Sequence, residues 1–562
     1  VIVALIGAVT LLIAAANRAT VHTRSVDISL SPAVLPLYAG YSLLRMIFAY
    51  ILSLAFTLIY GHVAATSKRA ERFMMPILDI LQSVPILSFL PSVVLTLVAL
   101  FPHSSIGVEL AAVVLIFTSQ AWNMTFSFYH SSKTIPSDLR EAAVVYRLSP
   151  LRRFFRLEVP FGMIGLVWNS MMSWAGGWFF LMVAEQLQLG NQSFQLPGLG
   201  SYLQVAANKG NVGALLLGLG TLIGLIILLD FLFWRPLVAW ADKFKFETTR
   251  TGDAPQSPIL DLLHRSALLE WFTERVAHPV ADRFNALMAR RLPETPMAMT
   301  LDESATTPAK RVTAGVIAGW VLAGIVGIIA AYGIVRGLLL LRDVGPLEWA
   351  RIIGFGGITF MRTAITMAIA LAWTVPVGVK IGMSPKWSRR LQPVVQVVAS
   401  IPATALFPIL LLLLLRLPAG INIAAILLML LGTQWYMLFN IIAGAMAIPA
   451  DLRESARIYQ VNGWNKWKRL ILPSIFPYLV TGLITASGGA WNTSVVAEVV
   501  TFNGKTASTP GLGAEIAQAA ANGNLPVLLA ATLTMATIVV LISRFVWRRL
   551  YQVAERRYSL LG

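Results

Sequence analysis

Two stretches carry most of the organised charge in this sequence. From Asp138 to Pro160 it reads DLREAAVVYRLSPLRRFFRLEVP, and from Asp451 to Pro473 DLRESARIYQVNGWNKWKRLILP. They lie 313 residues apart and share Asp, Leu, Arg, Glu, Ala, Tyr, Arg, Leu and Pro at matched places. Each opens with Asp-x-x-Glu, Asp138 with Glu141 and Asp451 with Glu454. That spacing predicts a capping box, in which Asp caps a helix and Glu reaches back to a free N–H. Behind it come small residues (Ala142, Ala143; Ser455, Ala456) and a tyrosine (Tyr146; Tyr459). A turn follows at Ser149–Pro150 or Asn462–Gly463, then basic residues and Leu-x-(Val/Leu)-Pro. A mere connection needs none of this. A short charged helix with a small-residue face, present twice, is suited to docking into grooves of a partner.

Other polar residues sit inside apolar runs, where they are expensive and by default face an interior or a cavity. The fourth apolar run of the first half offers Gln120, Trp122 and Asn123, and its copy Gln434, Trp435 and Asn440. The fifth offers Trp168, Asn169, Ser173, Trp178 and Glu185, and its copy Trp491, Asn492, Thr493, Ser494 and Glu498. The plainer role for each is bonding to a neighbouring helix; the functional one is to hydrogen-bond a solute. Where the second half has Asn492, Thr493 and Ser494, the first has Phe179, Phe180 and Leu181, so the solute is expected to lean on the second half. Glu185 and Glu498 lie near the outer helix ends, as an outer gate, as anchors for the adjacent loops or as binding-protein contacts. No basic residue is expected mid-membrane, so an anion would rely on amide, hydroxyl and indole donors.

Catalytic constellations are missing. There are no cysteines and six scattered histidines, of which His103, His130 and His264 read as loop or interface residues rather than ligands. NGKT at 503–506 ends like a phosphate loop, but Val499 stands where its first glycine belongs. The chain reads as a non-enzyme without a metal site.

The elements that position these residues are membrane helices. The 562 residues are 57% hydrophobic and only 12% charged, about half the share usual in a soluble domain. The net charge of +18 would suit nucleic acid, yet the basic residues lie between apolar runs, where cytoplasmic loops collect them. Apolar runs fall at 1–16, 41–64, 79–101, 106–130, 160–187 and 213–234, and again at 314–335, 356–382, 391–416, 420–447, 473–500 and 525–547. The expected fold is therefore all-α and polytopic, with about twelve spans in two six-helix repeats. Val1–Ala16 reads as the tail of a span that begins earlier. The expected domains are a first half over 1–240, a cytoplasmic linker over 241–312 with amphipathic and flexible parts, and a second half over 313–562.

The repeat is explicit. At the offset of 313, Trp122 matches Trp435, Trp178 matches Trp491, Glu185 matches Glu498, and PGLG at 197–200 matches PGLG at 510–513. Upstream the offset is 317, and Ser83, Pro85 and Pro91 match Ser400, Pro402 and Pro408. An even helix count per half makes the repeat parallel, unlike the inverted repeats of many ion-coupled transporters. Arginines and lysines crowd the two charged segments and the loops after the second spans, while 188–212 and 501–524 hold only Lys209 and Lys505. The positive-inside rule puts both charged segments in the cytoplasm.

The charged segments resemble the EAA loop of type I ABC importer permeases. Glu141-Ala142-Ala143 and Glu454-Ser455-Ala456 stand at the family spacing before Leu157-Glu158-Val159-Pro160 and Leu470-Ile471-Leu472-Pro473. Arg147 and Gln460 replace the family's glycine, which implies a continued helix or a turn displaced toward 149–150 and 462–463. The Pro-x5-Pro pairs and AWNTSVVAE are similar to the nitrate, taurine, sulfonate and bicarbonate branch; the likeness is clearest over 41–235 and 356–548.

The resemblance implies two halves forming one pathway in a bacterial inner membrane. It implies two cytoplasmic ATPases, which hold ATP and Mg, since this chain binds no cofactor itself. They would engage Asp138, Arg140, Glu141, Ala142, Ala143 and Tyr146, and Asp451, Arg453, Glu454, Ser455, Ala456 and Tyr459. It also implies a periplasmic or lipid-anchored solute-binding protein. An ion-coupled secondary transporter and a membrane scaffold are the rival readings; the parallel repeat and paired docking helices count against the first.

Overall fold

Long apolar runs fold as helices in hydrocarbon because each backbone N–H must find its acceptor within its own segment. The computed structural model describes residues 27–558 except 84, 102–104, 147, 190–191, 245–330, 415–419 and 503–504. In the first half the longer helices are α1 (Leu35–Thr66), α2 (Lys68–Ser83), α3 (Ile86–Leu100), α4 (Ile106–Lys133), α5 (Ser137–Val145), α6 (Val159–Glu185), α7 (Leu199–Asn208) and α8 (Val212–Leu229). The second half repeats the order as α9 (Pro346–Met383), α10 (Pro385–Ser400), α11 (Ala403–Leu414), α12 (Gly420–Met446), α13 (Ala450–Ile458), α14 (Leu472–Ala497), α15 (Leu512–Ala521) and α16 (Leu525–Ile542), and ends in α17 (Arg548–Tyr558).

Among the described residues seven helices are long and apolar enough to span a membrane, or eight if the bent pair α10–α11 counts as one. Of the expected spans, 1–16 and all but the end of 314–335 lie outside the described residues, as does the linker beyond Phe244. The third spans need correction. Each was expected as one helix, but each is broken: α2 ends at Ser83 and α3 begins at Ile86, while α10 and α11 meet at 75° around Ile401–Pro402. The first proline of each pair, Pro85 or Pro402, lacks an N–H, and Ile401 before Pro402 is extended.

Two hairpins, one after each fifth span, were not foreseen. β1 (Gln186–Leu189) pairs with β2 (Gln192–Gln195), Gln186 opposite Gln195, and β3 (Val499–Phe502) with β4 (Lys505–Ser508), Val499 opposite Ser508.

Within each half the first, fourth and fifth spans pack side by side, α1 on α4 on α6 and α9 on α12 on α14. Lipid supplies no hydrophobic drive between helices, so close packing does the work. Gly61 and its copy Gly378 show how: a Cβ there would lie 2.8 Å from Phe128 and 2.8 Å from Ile441, which are themselves matched positions. The broken helices cross over. α3 packs on α14 and α16, and α11 packs on α6. Ile86, Leu87 and Leu90 therefore share one core with Trp491, Leu512 and Val527 of the other half.

Candidate functional site

The short charged helices α5 and α13 each start behind a proline, Pro136 and Pro449, with no side-chain cap bond. The capping box is thus corrected: Asp138 and Asp451 lie in the first turn, where a carboxylate favours the helix dipole without capping it. Arg140 and Arg453 turn back onto their own chain. Arg140 Nη2 donates to the carbonyls of Ser132 and Lys133 at 3.1 and 3.0 Å, and Arg453 Nη2 to those of Ala445 and Met446 at 2.9 and 3.1 Å. These are terminal carbonyls of α4 and α12, so each arginine ties a docking helix to the span before it. Ala143 is buried, Ala142, Arg453 and Ala456 are half-buried, and Asp138, Glu141, Asp451, Glu454 and Ser455 are exposed. Tyr146 and Tyr459 are 78% and 80% exposed.

The turn after α13 is not displaced. Gln460 itself adopts the left-handed conformation, φ 51°, and Val461 N–H closes on Ala456 C=O at 2.8 Å. Leu148 N–H closes on Ala143 C=O at 3.0 Å in the same way, and Arg147 lies outside the described residues.

At the far ends of the spans from the short charged helices, the expectation of no basic residue inside the spans is overturned. Arg45 in α1 and Arg362 in α9 are each 6% exposed and bind Glu185 and Glu498, which are wholly buried. Arg45 Nη1 lies 2.7 Å from Glu185 Oε1, and its other nitrogens grip Glu109 at 2.6 and 2.7 Å. Arg362 Nη1 lies 2.7 Å from Glu498 Oε1, and its Nη2 donates to Asn422 and Thr509, both at 2.7 Å. Ser42 donates to Glu185 Oε1 and Thr359 to Glu498 Oε1, at 2.7 and 2.8 Å. Each hydroxyl in turn accepts a loop N–H, from Leu199 at 3.0 Å and Leu512 at 2.8 Å. The second oxygen of each carboxylate accepts the N–H of Gly200 or Gly513, at 2.7 and 2.8 Å. The PGLG loops are glycine-rich for this approach: a Cβ on Gly198 or Gly511 would lie 2.3 or 2.2 Å from the carboxylate. Full burial removes Glu185 and Glu498 as direct binding-protein contacts, because they have no surface to offer. The repeat pattern held the missing signal, since Ser42 and Arg45 match Thr359 and Arg362 at the offset of 317.

A cavity of about 70 Å³ lies where α6 of the first half meets α12, α14 and the Pro402 break of the second. Of the expected pathway residues it brings together Trp435, Asn492 and Thr493, joined by Tyr436, Phe179, Phe180 and Gly176. The others do not line it. Gln120, Trp178, Trp491 and Ser494 are wholly buried in packed helix contacts, and Ser494 donates to the Trp491 carbonyl at 2.8 Å. Trp122 packs edge-on against Phe56 and Phe117. Gln434 accepts the Trp373 indole N–H at 3.1 Å, and Asn123 accepts from Gln82 at 3.5 Å. Asn492 does two jobs. It lines the cavity, and its Oδ1 accepts the N–H of Leu87 at 3.2 Å, satisfying an orphan donor at the start of α3 in the other half.

Comparison with known proteins bears on this arrangement. The nitrate import permease protein NrtB of Synechococcus elongatus is 31% identical over 147 residues, covering 26% of this chain and 51% of its own length. The bicarbonate transport system permease protein CmpB of the same organism is 26% identical over 185 residues, 33% of this chain and 63% of its own. A probable ABC transporter permease protein of Brucella melitensis is 26% identical over 246 residues, 43% and 92%. The chain thus spans about half the length of the nitrate relatives it matches. The family pattern of the binding-protein-dependent transport system inner membrane component matches twice, over 53–234 and 364–560. Those two matches cover more than half of the chain and fall one on each repeat, so the protein is a duplicated membrane component belonging to the binding-protein-dependent transport system inner membrane component family.

Proposed function

We propose that the chain is the membrane subunit of an ATP-driven importer and forms the pathway for a small anionic solute. One observation carries the reading. Two matched short helices, each with a tyrosine about four-fifths exposed, are tied by arginine to the last carbonyls of a span. A pull or push on α5 or α13 then reaches α4 or α12 directly. Separate ATPases dock on these helices, one on each, and hold the ATP and Mg. Glu141, Glu454, Tyr146 and Tyr459 meet them; Arg140 and Arg453 position the helices. The charged segments and the 241–312 linker face the cytoplasm. The hairpins and PGLG loops face a solute-binding protein, and the buried Arg–Glu clamps hold those loops in place. The nitrate and bicarbonate relatives favour an anion.

The test is co-purification with neighbouring-gene ATPases, followed by uptake. Glu141→Ala with Glu454→Ala should leave the chain folded and inserted while lowering ATPase retention and ATP-driven uptake about ten-fold, as for the loss of a charged hydrogen bond at each helix. Normal uptake by that double variant, or failure of any ATPase to co-purify with the wild type, would overturn the reading.

A further inference from the structure

The last span does not stop where the hydrocarbon does. α16, a π-helical turn over Ser543–Trp547 and α17 follow one another without a break from Leu525 to Tyr558. At a rise of 1.5 Å per residue, Ser543 stands about 27 Å along from Leu525, close to the thickness of the hydrocarbon core. α17 therefore begins at headgroup level. We propose that the arginines gathered there bind the headgroups of anionic phospholipids, and that this lipid site belongs to the second half and not to the first. The proposal goes beyond the importer reading and needs no ATPase.

Charge is the first argument. Arg544, Arg548, Arg549, Arg556 and Arg557 fall within one short stretch that holds a single acid, Glu555. All five arginines are exposed. None of them has an ion-pair or hydrogen-bond partner among the described residues. A cluster of this size just beyond a span attracts anionic lipid, and each arginine near the surface strengthens the attraction about five-fold.

Orientation is the second. Ala554 is buried, Trp547 and Leu550 are half-buried, and α17 packs on α14. Trp547 lies against the core that contains Leu470 and Ile471, which fixes this end of the helix beside α13. By helical spacing Arg549 and Arg556 stand opposite the packed face, with Arg548 and Arg557 on its flanks. They point away from the protein, toward the lipid around it. Phe545 and Val546, 53% and 44% exposed, adjoin Arg544 at the boundary and suit acyl chains. Tyr551 is exposed one turn further on, where aromatic side chains favour the interface. Apolar surface on the same turn as the charge favours lipid over a protein partner.

The first-half copy has a different chemistry. At the offset of 313, Phe231, Pro236 and Phe244 stand at the places of Arg544, Arg549 and Arg557. Arg235 and Lys243 do match Arg548 and Arg556, but both are engaged. Arg235 Nε donates to Asp230 at 2.9 Å, and Lys243 Nζ lies 4.4 Å from the centre of the Trp240 ring.

The test uses the full chain in nanodiscs, without ATPase or binding protein. The sequence has no cysteine, so Gln552→Cys and Ala239→Cys, at matched places, can each carry a single fluorophore. Quenching by brominated phosphatidylglycerol, relative to brominated phosphatidylcholine at the same fraction, reads the local enrichment of anionic lipid. Position 552 should show about five-fold more enrichment than position 239, and high salt should remove the difference. Changing all five arginines to Lys should keep the enrichment, because the attraction needs only charge. Changing all five to Gln should bring it down to the level of position 239. The proposal is overturned if the two positions quench alike, if the Gln variant is enriched like the wild type, or if the Lys variant loses the enrichment. Should the Gln variant fail to reconstitute, Arg549→Gln with Arg556→Gln decides: unchanged enrichment overturns the site. A last arm separates lipid from protein. If the Gln variant retains less ATPase than the wild type in phosphatidylcholine alone, the arginines hold a protein partner and the lipid site is overturned.

Discussion

The Arg45 and Arg362 clamps show what a single charge does inside a bilayer. Each arginine is almost fully buried, and each buried carboxylate is satisfied by the arginine, a hydroxyl and loop N–H groups. Such a pair contributes modestly when intact, but removing one partner strands the other in low dielectric at a cost of roughly 3–5 kcal/mol. Arg45→Met and Arg362→Met should therefore each lower unfolding stability by about 3–5 kcal/mol. Arg362→Met combined with Glu498→Leu should recover much of the loss, because the remaining partners, Asn422 and Thr509, are neutral and no charge is stranded. Denaturation of the purified chain measures this; a single-variant loss below about 1 kcal/mol, the range of an exposed pair, would mean the clamp is solvated. The two clamps also differ. Arg45 grips a second carboxylate, Glu109, where Arg362 grips the neutral Asn422, so the first clamp is one charge more acidic than the second.

Elements are set by a few backbone decisions. α13 stops because Gln460 enters the left-handed region, which costs a residue with a Cβ about 1–2 kcal/mol relative to glycine. Gln460→Gly should raise stability by about 1 kcal/mol, read as a higher melting point with docking unchanged. A drop would show that the glutamine side chain compensates for its backbone. After each docking helix, the chain enters its next span through a π-helical turn, Phe154–Glu158 in the first half and Trp467–Ile471 in the second. Such bulges loosen one turn of a helix. The first copy fills its turn with a buried glutamate that meets His62 Nδ1 at 2.6 Å; the second puts Ile471 and Val379 at the matching places. The two short helices are thus joined to differently braced spans.

At the scale of the whole molecule, the halves interlock. α3 lies in the core of the second half and α11 against α6 of the first, so neither half is a complete packing unit. A single chain lets the partners diverge at matched positions, because neither must serve as both members of a homodimer. The parallel repeat has a direct consequence for labelling. Cysteines replacing the exposed Tyr146 and Tyr459 should react only from the cytoplasm, and cysteines replacing the exposed Lys209 and Asn522 only from outside. Labelling of Tyr146→Cys and Tyr459→Cys from opposite faces would break the parallel arrangement.

The repeat, the helical class and the two short charged helices were legible in the amino-acid order, because hydropathy, charge bias and self-similarity are properties of local windows. The proline pairs were visible as well, although not the bend they impose. The clamps were not read, even though Arg45 and Arg362 stood at matched offsets. An arginine in an apolar run says only that a partner must exist, and the partner, Glu185, lies 140 residues away. Asn492 is the clearest case. Its type announced a hydrogen bond, but its acceptor and donor work, with Leu87 N–H 405 residues distant and Gly488 beside it, follows from how α14 is rotated against the broken helix of the other half. Helix rotation and the crossing of α3 and α11 are fixed by side-chain packing over the whole assembly, and no window of sequence contains that sum.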